Sequence, residues 1–232
     1  MSGGPGEQDR SAEPPGRTAE PVVIAIDGPA ASGKGTLAER LARHFGYAYL
    51  ESGRLYRAVA AKLLAAGGTA ADPAEATRIA QDLVEEDLNH PNLYAEPTGL
   101  LASQVAAIAA VREALLHFQR DFAAQPPGGA AGVVIDGRDI GTVICPQARH
   151  KLFITARPEA RAERRVKQLR QRGVEAIHSR VLQDILARDD MDTQRIKSPL
   201  RRAPDAHLLD TSELDAHQAF AAALALIEQA QA

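Results

Sequence analysis

The residues best suited to chemistry stand in one run near the start of the chain: Gly28, Pro29, Ala30, Ala31, Ser32, Gly33, Lys34, Gly35 and Thr36. An apolar stretch, VVIAID (Val22–Asp27), leads into the run, and an amphipathic stretch follows it. Glycine and other small residues let consecutive backbone N–H groups turn inward around an anion. The start of a helix adds partial positive charge, and a lysine at this spacing supplies a mobile point charge. Strand, glycine-rich turn and helix in that order make a phosphate-binding loop, or P-loop. One position departs from the usual pattern. The residue after the lysine is commonly Ser or Thr, whose hydroxyl meets magnesium. Here it is Gly35, with Thr36 one place later. One residue turns a helical side chain by about 100°, so an ion at this loop is expected to be held through water more than by Thr36.

The second feature is arginine. Cations number 22 Arg and 5 Lys, and between Arg149 and Arg202 there are 12 Arg and 3 Lys against 7 acids, a local +8 in a chain of net charge −3. An arginine surplus in a mildly acidic chain points to a built anion site rather than a general nucleic-acid surface. An ordinary solvated helical face accounts for the same charges when they are taken alone. Aromatic residues make up 4% of the chain and there is no Trp, so a stacking platform for single-stranded nucleic acid is not expected. The seven histidines are scattered and lack H-E-x-x-H spacing, which reads as surface or core duty. A lone cysteine, Cys145, cannot form an internal disulfide or a cysteine-rich zinc site. That fits a reducing compartment, the cytoplasm.

These groups need a frame. With 232 residues, 45% hydrophobic and 25% charged, the chain can bury a sizeable core in one or two domains. No run of about 18 apolar residues occurs, so no membrane span is expected, and the opening lacks an apolar signal region. Residues 1–21 are rich in Gly, Pro, Ser and Glu and are expected to be a disordered tail. Beyond them, short apolar runs alternate with longer helical patterns. The runs are Val22–Asp27, Tyr47–Glu51, Val133–Asp136, Lys151–Thr155 and His207–Asp210. Four end in Asp or Glu, which puts those acids at the carboxyl edge of a sheet, where ligands of open α/β sheets sit. Each acid could equally cap the next helix. Helices are expected over Lys34–Phe45, Ser52–Ala66 with Ser52 as cap, Asp72–Asp87, Ala109–Phe122, Pro158–Arg172, Ile177–Asp190 and Leu214–Gln229. The alternation predicts an α/β fold around a parallel sheet.

Five segments in order, IDGPAASGKGT, LESGRLYRA, ASQVAAIAAVREAL, IDGRDIGTVICP and ARDDMDTQR, resemble the bacterial cytidylate kinases, a P-loop nucleoside monophosphate kinase family. The likeness runs from about Val22 to the end. It implies a five-stranded parallel sheet flanked by helices within a kinase domain (22–232), with a helical acceptor-binding segment (52–122) and an arginine-rich lid (157–192). It implies transfer of the γ-phosphoryl group of ATP to CMP or dCMP with Mg²⁺, by a cytoplasmic monomer that needs neither nucleic acid nor membrane.

Residue by residue, the resemblance puts Gly28 to Thr36 on ATP, with Lys34 at the transferred group and Arg161 and Arg165 over ATP from the lid, beside Arg157 and Arg164. It puts Ser52 and Arg57 near the acceptor phosphate, and Ser103, Arg112 and Asp139 against cytosine. Arg138 would bridge the two sets of phosphates, and Arg188 and Asp192 would hold acceptor sugar and phosphate. Arg195 would hold the transferred phosphate, and Asp136 has the look of an acid that meets Mg²⁺ through water. Spacings of four and seven put Arg188, Asp192 and Arg195 on one face if their helix continues. Glu51 stands where the family commonly has Asp. Only about fifteen residues, Asp87–Leu101, occupy a stretch where many members carry a longer β insert, so the chain looks like a short form. Adenylate or shikimate kinase is a weaker match to IDGRDIGT and SQVAA. A nucleotide switch or RNA-binding module lacks the aromatic residues it would want.

Overall fold

Short aliphatic runs build a single sheet. In the computed structural model, which describes residues 20–171 and 173–229, the strands are β1 (Val22–Asp27), β2 (Ala48–Glu51), β3 (Gly132–Gly137), β4 (His150–Thr155) and β5 (His207–Asp210). Their order is β2-β3-β1-β4-β5, with every pairing parallel. The expected disordered tail lies, up to residue 19, outside the described residues.

Successive residues of a strand point to opposite faces, and both faces are covered. Ile24, Ile26, Val134, Leu152 and Ile154 pack with Leu37 and Leu41 of α1 (Lys34–Phe45) and Ile227 of α8 (Ala216–Gln229). Ala25, Leu50, Val133 and Ile135 pack on the other side with Leu55 and Leu63 of α2 (Ser52–Ala65), Ile79 of α3 (Pro73–Gln81), Val105 of α4 (Glu96–Val105) and Leu115 of α5 (Ala109–Ala124). Full burial of one such side chain contributes about 1.5–3 kcal/mol. An exposed ion pair such as Arg43–Glu39 contributes about 0–1 kcal/mol. The two apolar layers therefore hold the sheet. The arginine-rich pair α6 (Pro158–Gln171) and α7 (His178–Thr193) has a separate small cluster of Ala162, Val166, Val181 and Ile185.

Three local expectations need correction. Ser52 is the first helical residue of α2 rather than its cap; Glu51 holds the cap position and makes no side-chain cap bond. The α3 helix, capped by Asp72 accepting from Glu75 N at 3.0 Å, stops at Gln81 instead of about Asp87. The Asp87 carboxylate turns back to accept from Val84 N and from Lys62 Nζ, which redirects the chain into a 3₁₀ turn over Glu85–Asn89. The α7 helix ends at Thr193, so Arg188 and Asp192 share it and Arg195 lies beyond it. The stretch 87–101 carries no strand; it holds the 3₁₀ turn and the start of α4.

The strand ends converge on the loops that matter. At the end of β1, buried Asp27 accepts from Ile140 N and Gly141 N, both at 2.8 Å. Those amides open a π-helical turn, Ile140–Ile144, in which Ile144 N and Cys145 N reach five residues back. The bonds pin the Gly137–Asp139 loop beside the P-loop. Burial pushes the Asp27 carboxyl from 3.8 up to about 6, against the two amides. Its contribution to stability is therefore fully present below about pH 4 and is lost as pH rises through about 6. Relative to Asp27→Asn, the wild-type unfolding free energy should fall by roughly 2–3 kcal/mol between about pH 4 and 7, measured by urea denaturation. A difference constant with pH would contradict this.

Candidate active site

The P-loop main chain is unusual where it must be. Gly28 (φ 153°) lies so near β4 that a Cβ would collide with the Ile154 carbonyl oxygen. Ala31, not a glycine, is in the left-handed region at φ 58°, a conformation that costs a non-glycine residue of order 1 kcal/mol or more. The α1 helix starts after Gly33 with no side-chain cap and no acid in its first turn, so its leading amides are left for an anion. Ser32 is fully buried and its Oγ has no hydrogen-bond partner among the described residues.

This loop is braced from behind. Thr211, just past β5, donates to the Ser32 carbonyl oxygen at 2.9 Å. Arg164 of α6 donates to the Ser32 carbonyl, to Thr211 Oγ1 at 3.1 Å and to the Thr211 and Leu214 carbonyls. Arg161 donates to the carbonyls of Ala156 and Ala30 and forms a two-bond pair with Asp189 at 3.0 and 2.6 Å. The Ala30 and Ser32 carbonyls are thus held by α6 and by the residue after β5.

In front of the loop, positive charge is crowded. Lys34 is 8% exposed and its Nζ donates to the Pro29 carbonyl at 3.3 Å. Burial, then Arg138, holds its ammonium well below the usual lysine range, while Asp136 pulls the other way. Burial, then Arg138, also lowers the Arg188 guanidinium to about 10, with Arg57 and Arg195 adding to the effect. Arg138 Nε donates to Asp192 Oδ2 at 2.7 Å, and Arg195 donates to Asp192 Oδ1. Burial raises the Asp192 carboxyl, but Arg138 and Arg195 outweigh it and hold it below the usual range. The structure thus brings Lys34, Arg138, Arg188, Asp192, Arg195 and Arg57 together, with Asp136 beside Lys34. An arriving polyanion would relieve that repulsion.

Asp136 stands at the end of β3, 4% exposed. Burial pushes its carboxyl up, opposed by Lys34. A single carboxylate with oxygen neighbours suits a hard cation that keeps most of its waters, such as Mg²⁺. Thr36 is exposed on α1, while Gly35 borders Asp136.

On the acceptor side, Ser52 is buried against Gly137. Arg57 donates to the Leu93 carbonyl at 3.0 Å and lies over the Tyr94 ring. Tyr94 in turn donates to Glu51 Oε2 at 3.0 Å. Arg112 and Asp139 meet at 2.6 Å, both nearly buried. Ser103 donates to the Gly99 carbonyl within α4. Of the lid arginines, Arg161 and Arg164 are fastened to the P-loop, Arg157 pairs with Glu213, and Arg165 reaches Gln168 along its own helix.

The family model described as cytidylate kinase matches residues 24–229. A cytidylate kinase of Paramagnetospirillum magneticum is 57% identical over 206 residues, covering 89% of this chain and 97% of that one. Another, of Afipia carboxidovorans, is 52% identical over 211 residues, covering 91% and 99%. The chain belongs to the cytidylate kinase family. A crystal structure of an uncharacterised protein from Eubacterium ventriosum shares the fold, with a TM-score of 0.52 at 13% identity over 89% of this chain and 98% of that one. Among the described residues no single helix is long and apolar enough to cross a membrane.

Within this member of the cytidylate kinase family, sequence reasoning passed over Tyr49, Asp189 and Thr211, and gave Asp27 only a place at the sheet edge. Asp189 sits in the quoted ARDDMDTQR segment, but its partner Arg161 lies a helix away. Thr211 follows the last strand, and its place at the carboxyl edge was the one available signal. Replacing it with Val removes a hydroxyl that links three chain segments at Ser32, Thr155 and Arg164. Thr211→Val should lower the unfolding free energy by about 1–2 kcal/mol, read by chemical denaturation. An unchanged midpoint would show that the brace carries no load.

Proposed function

We propose that this chain transfers the γ-phosphoryl group of ATP to CMP or dCMP, releasing ADP and CDP or dCDP. The observation that carries the reading is the cluster of Arg138, Arg188 and Arg195 around Asp192, with Lys34 and Arg57 beside it, in front of a P-loop. The acceptor of such a transfer is already an oxyanion, so no base need take a proton. What the reaction asks of a protein is alignment, charge neutralisation and exclusion of water.

In this reading, the amides from Gly28 to Thr36 and the start of α1 hold the ATP phosphates. Lys34 follows the transferred group, and Arg138, Arg188 and Arg195 offset the charge shared between donor and acceptor. Ser52 and Arg57 meet the acceptor phosphate, and Asp192 works with Arg188 at the sugar. Arg161 sets the P-loop from behind, and Arg165 reaches ATP from the lid, where closure would keep water out. Mg²⁺, bound with ATP, would neutralise phosphate charge; Asp136 would hold it through water. The lone Cys145 and the small-molecule substrates fit a cytoplasmic monomer with no nucleic-acid or membrane partner.

Base choice falls to Arg112, Asp139 and Ser103. Cytosine offers an exocyclic amino donor beside the N3 and O2 acceptors, so a carboxylate plus an arginine complements it. Uracil presents a carbonyl oxygen where cytosine has the amino group, and the carboxylate repels it.

The direct test follows ADP formation with ATP and a panel of CMP, dCMP, UMP, AMP and shikimate. CMP and dCMP should turn over fast and AMP and shikimate hardly at all; turnover independent of CMP would refute the reading. Lys34→Ala should lower kcat by about 100-fold or more with an unchanged circular dichroism spectrum, and near-normal kcat would contradict its role. Asp139→Ala should cut the ratio of kcat/KM for CMP over UMP by about 10- to 100-fold; an unchanged ratio would remove Asp139 from base reading.

A further inference from the structure

Gly35 leaves the usual P-loop hydroxyl missing, yet a hydroxyl stands beside it. A Cβ added to Gly35 would lie 3.7 Å from the Tyr49 phenolic oxygen and 3.8 Å from Asp136 Oδ2. Tyr49 donates to Asp136 Oδ1 at 3.1 Å. The sheet register explains how it gets there. Tyr49 on β2 pairs with Val134 on β3, and Glu51 pairs with Asp136. Tyr49 is thus two residues, about 7 Å, short of Asp136 along the strand direction. A phenol is long enough to span that offset where a serine would not be. The phenol is half-buried, and a buried hydroxyl spends its one proton on a partner, here the carboxylate.

We propose that Tyr49 is a positioning residue for phosphoryl transfer: with no hydroxyl at Gly35, the Tyr49 hydroxyl, supplied from the neighbouring strand, orients the acid beside the loop. It fixes the Asp136 carboxylate through Oδ1 and leaves Oδ2 on the Gly35 side for the water shell of the metal–nucleotide complex. The inference rests on the kinase reading above, because it needs a metal–nucleotide to act on.

The test separates metal-dependent from metal-independent binding without any turnover. A non-hydrolysable ATP analogue is titrated calorimetrically into wild type, Tyr49→Phe and Tyr49→Phe/Gly35→Ser, with Mg²⁺ and with chelator. Wild type should bind more tightly with Mg²⁺. Tyr49→Phe should lose about tenfold of that Mg²⁺-dependent gain while its metal-free affinity stays within about twofold. A Cβ at Gly35 meets its neighbours at ordinary contact distance, and the seryl hydroxyl beside Asp136 should restore the gain. Full Mg²⁺ gain in Tyr49→Phe overturns the proposal, as does an equal loss with and without Mg²⁺, which would mark a packing role. Failure of Gly35→Ser to restore the gain, with a wild-type melting curve, also overturns it. If wild type binds no analogue under either condition, the kinase reading falls and takes this proposal with it. If wild type binds with a Mg²⁺ gain that Tyr49→Phe keeps, only this proposal falls.

Discussion

Like-charge crowding at the carboxyl edge of the sheet is the constraint on which the rest of the molecule depends. Burial, and then the mutual repulsion of Lys34, Arg138 and Arg188, depresses the proton affinity of Lys34 and Arg188. Asp192 answers only part of that charge. A fold that holds such a set must do so through interactions elsewhere. Here they are the two apolar layers on the sheet and buried hydrogen bonds from neutral groups. The uncompensated charge is then available to a ligand, and phosphates are the ligand whose charge and oxygen geometry match it.

The loops that carry this charge are set by long-range polar contacts rather than by their own propensity. Asp27 reaches across to the amides of Ile140 and Gly141 and so aims Arg138 and Asp139. Thr211 and Arg164 hold the Ser32 carbonyl, and Arg161 holds that of Ala30. These arginines share α6 with Arg165, so the helix expected to close over ATP is already tied to the P-loop. The acceptor side uses the same economy. In place of a β insert, the short segment ending in Leu93 and Tyr94 holds Arg57 and Glu51.

Much of this was legible in the residues and some was not, for physical reasons. The strands β1 and β5 and the helix α1 fall where apolar runs, Gly33 and Gly46 predict, because those signals are local. The P-loop was readable because its function needs consecutive residues. Ser52 was misjudged as a cap because a serine before a helical pattern fits either the cap or the first turn. The short α3 was missed because Asp87 makes bonds that redirect the chain, and α7 runs three residues past the expected Asp190. The π-helical turn at Ile140–Ile144 depends on an acid 113 residues earlier, and the Tyr49–Asp136 bond spans 87 residues. No local pattern encodes either of them.

The central claim is that one ring of cations holds two phosphate-bearing partners end to end. Its most direct test is calorimetric titration of a bisubstrate compound, adenosine and cytidine joined through five phosphates, against ATP and CMP separately. The account predicts an affinity at least about 100-fold above that of ATP alone, at a stoichiometry of one per chain. Binding no tighter than ATP, or two molecules bound per chain, would contradict it.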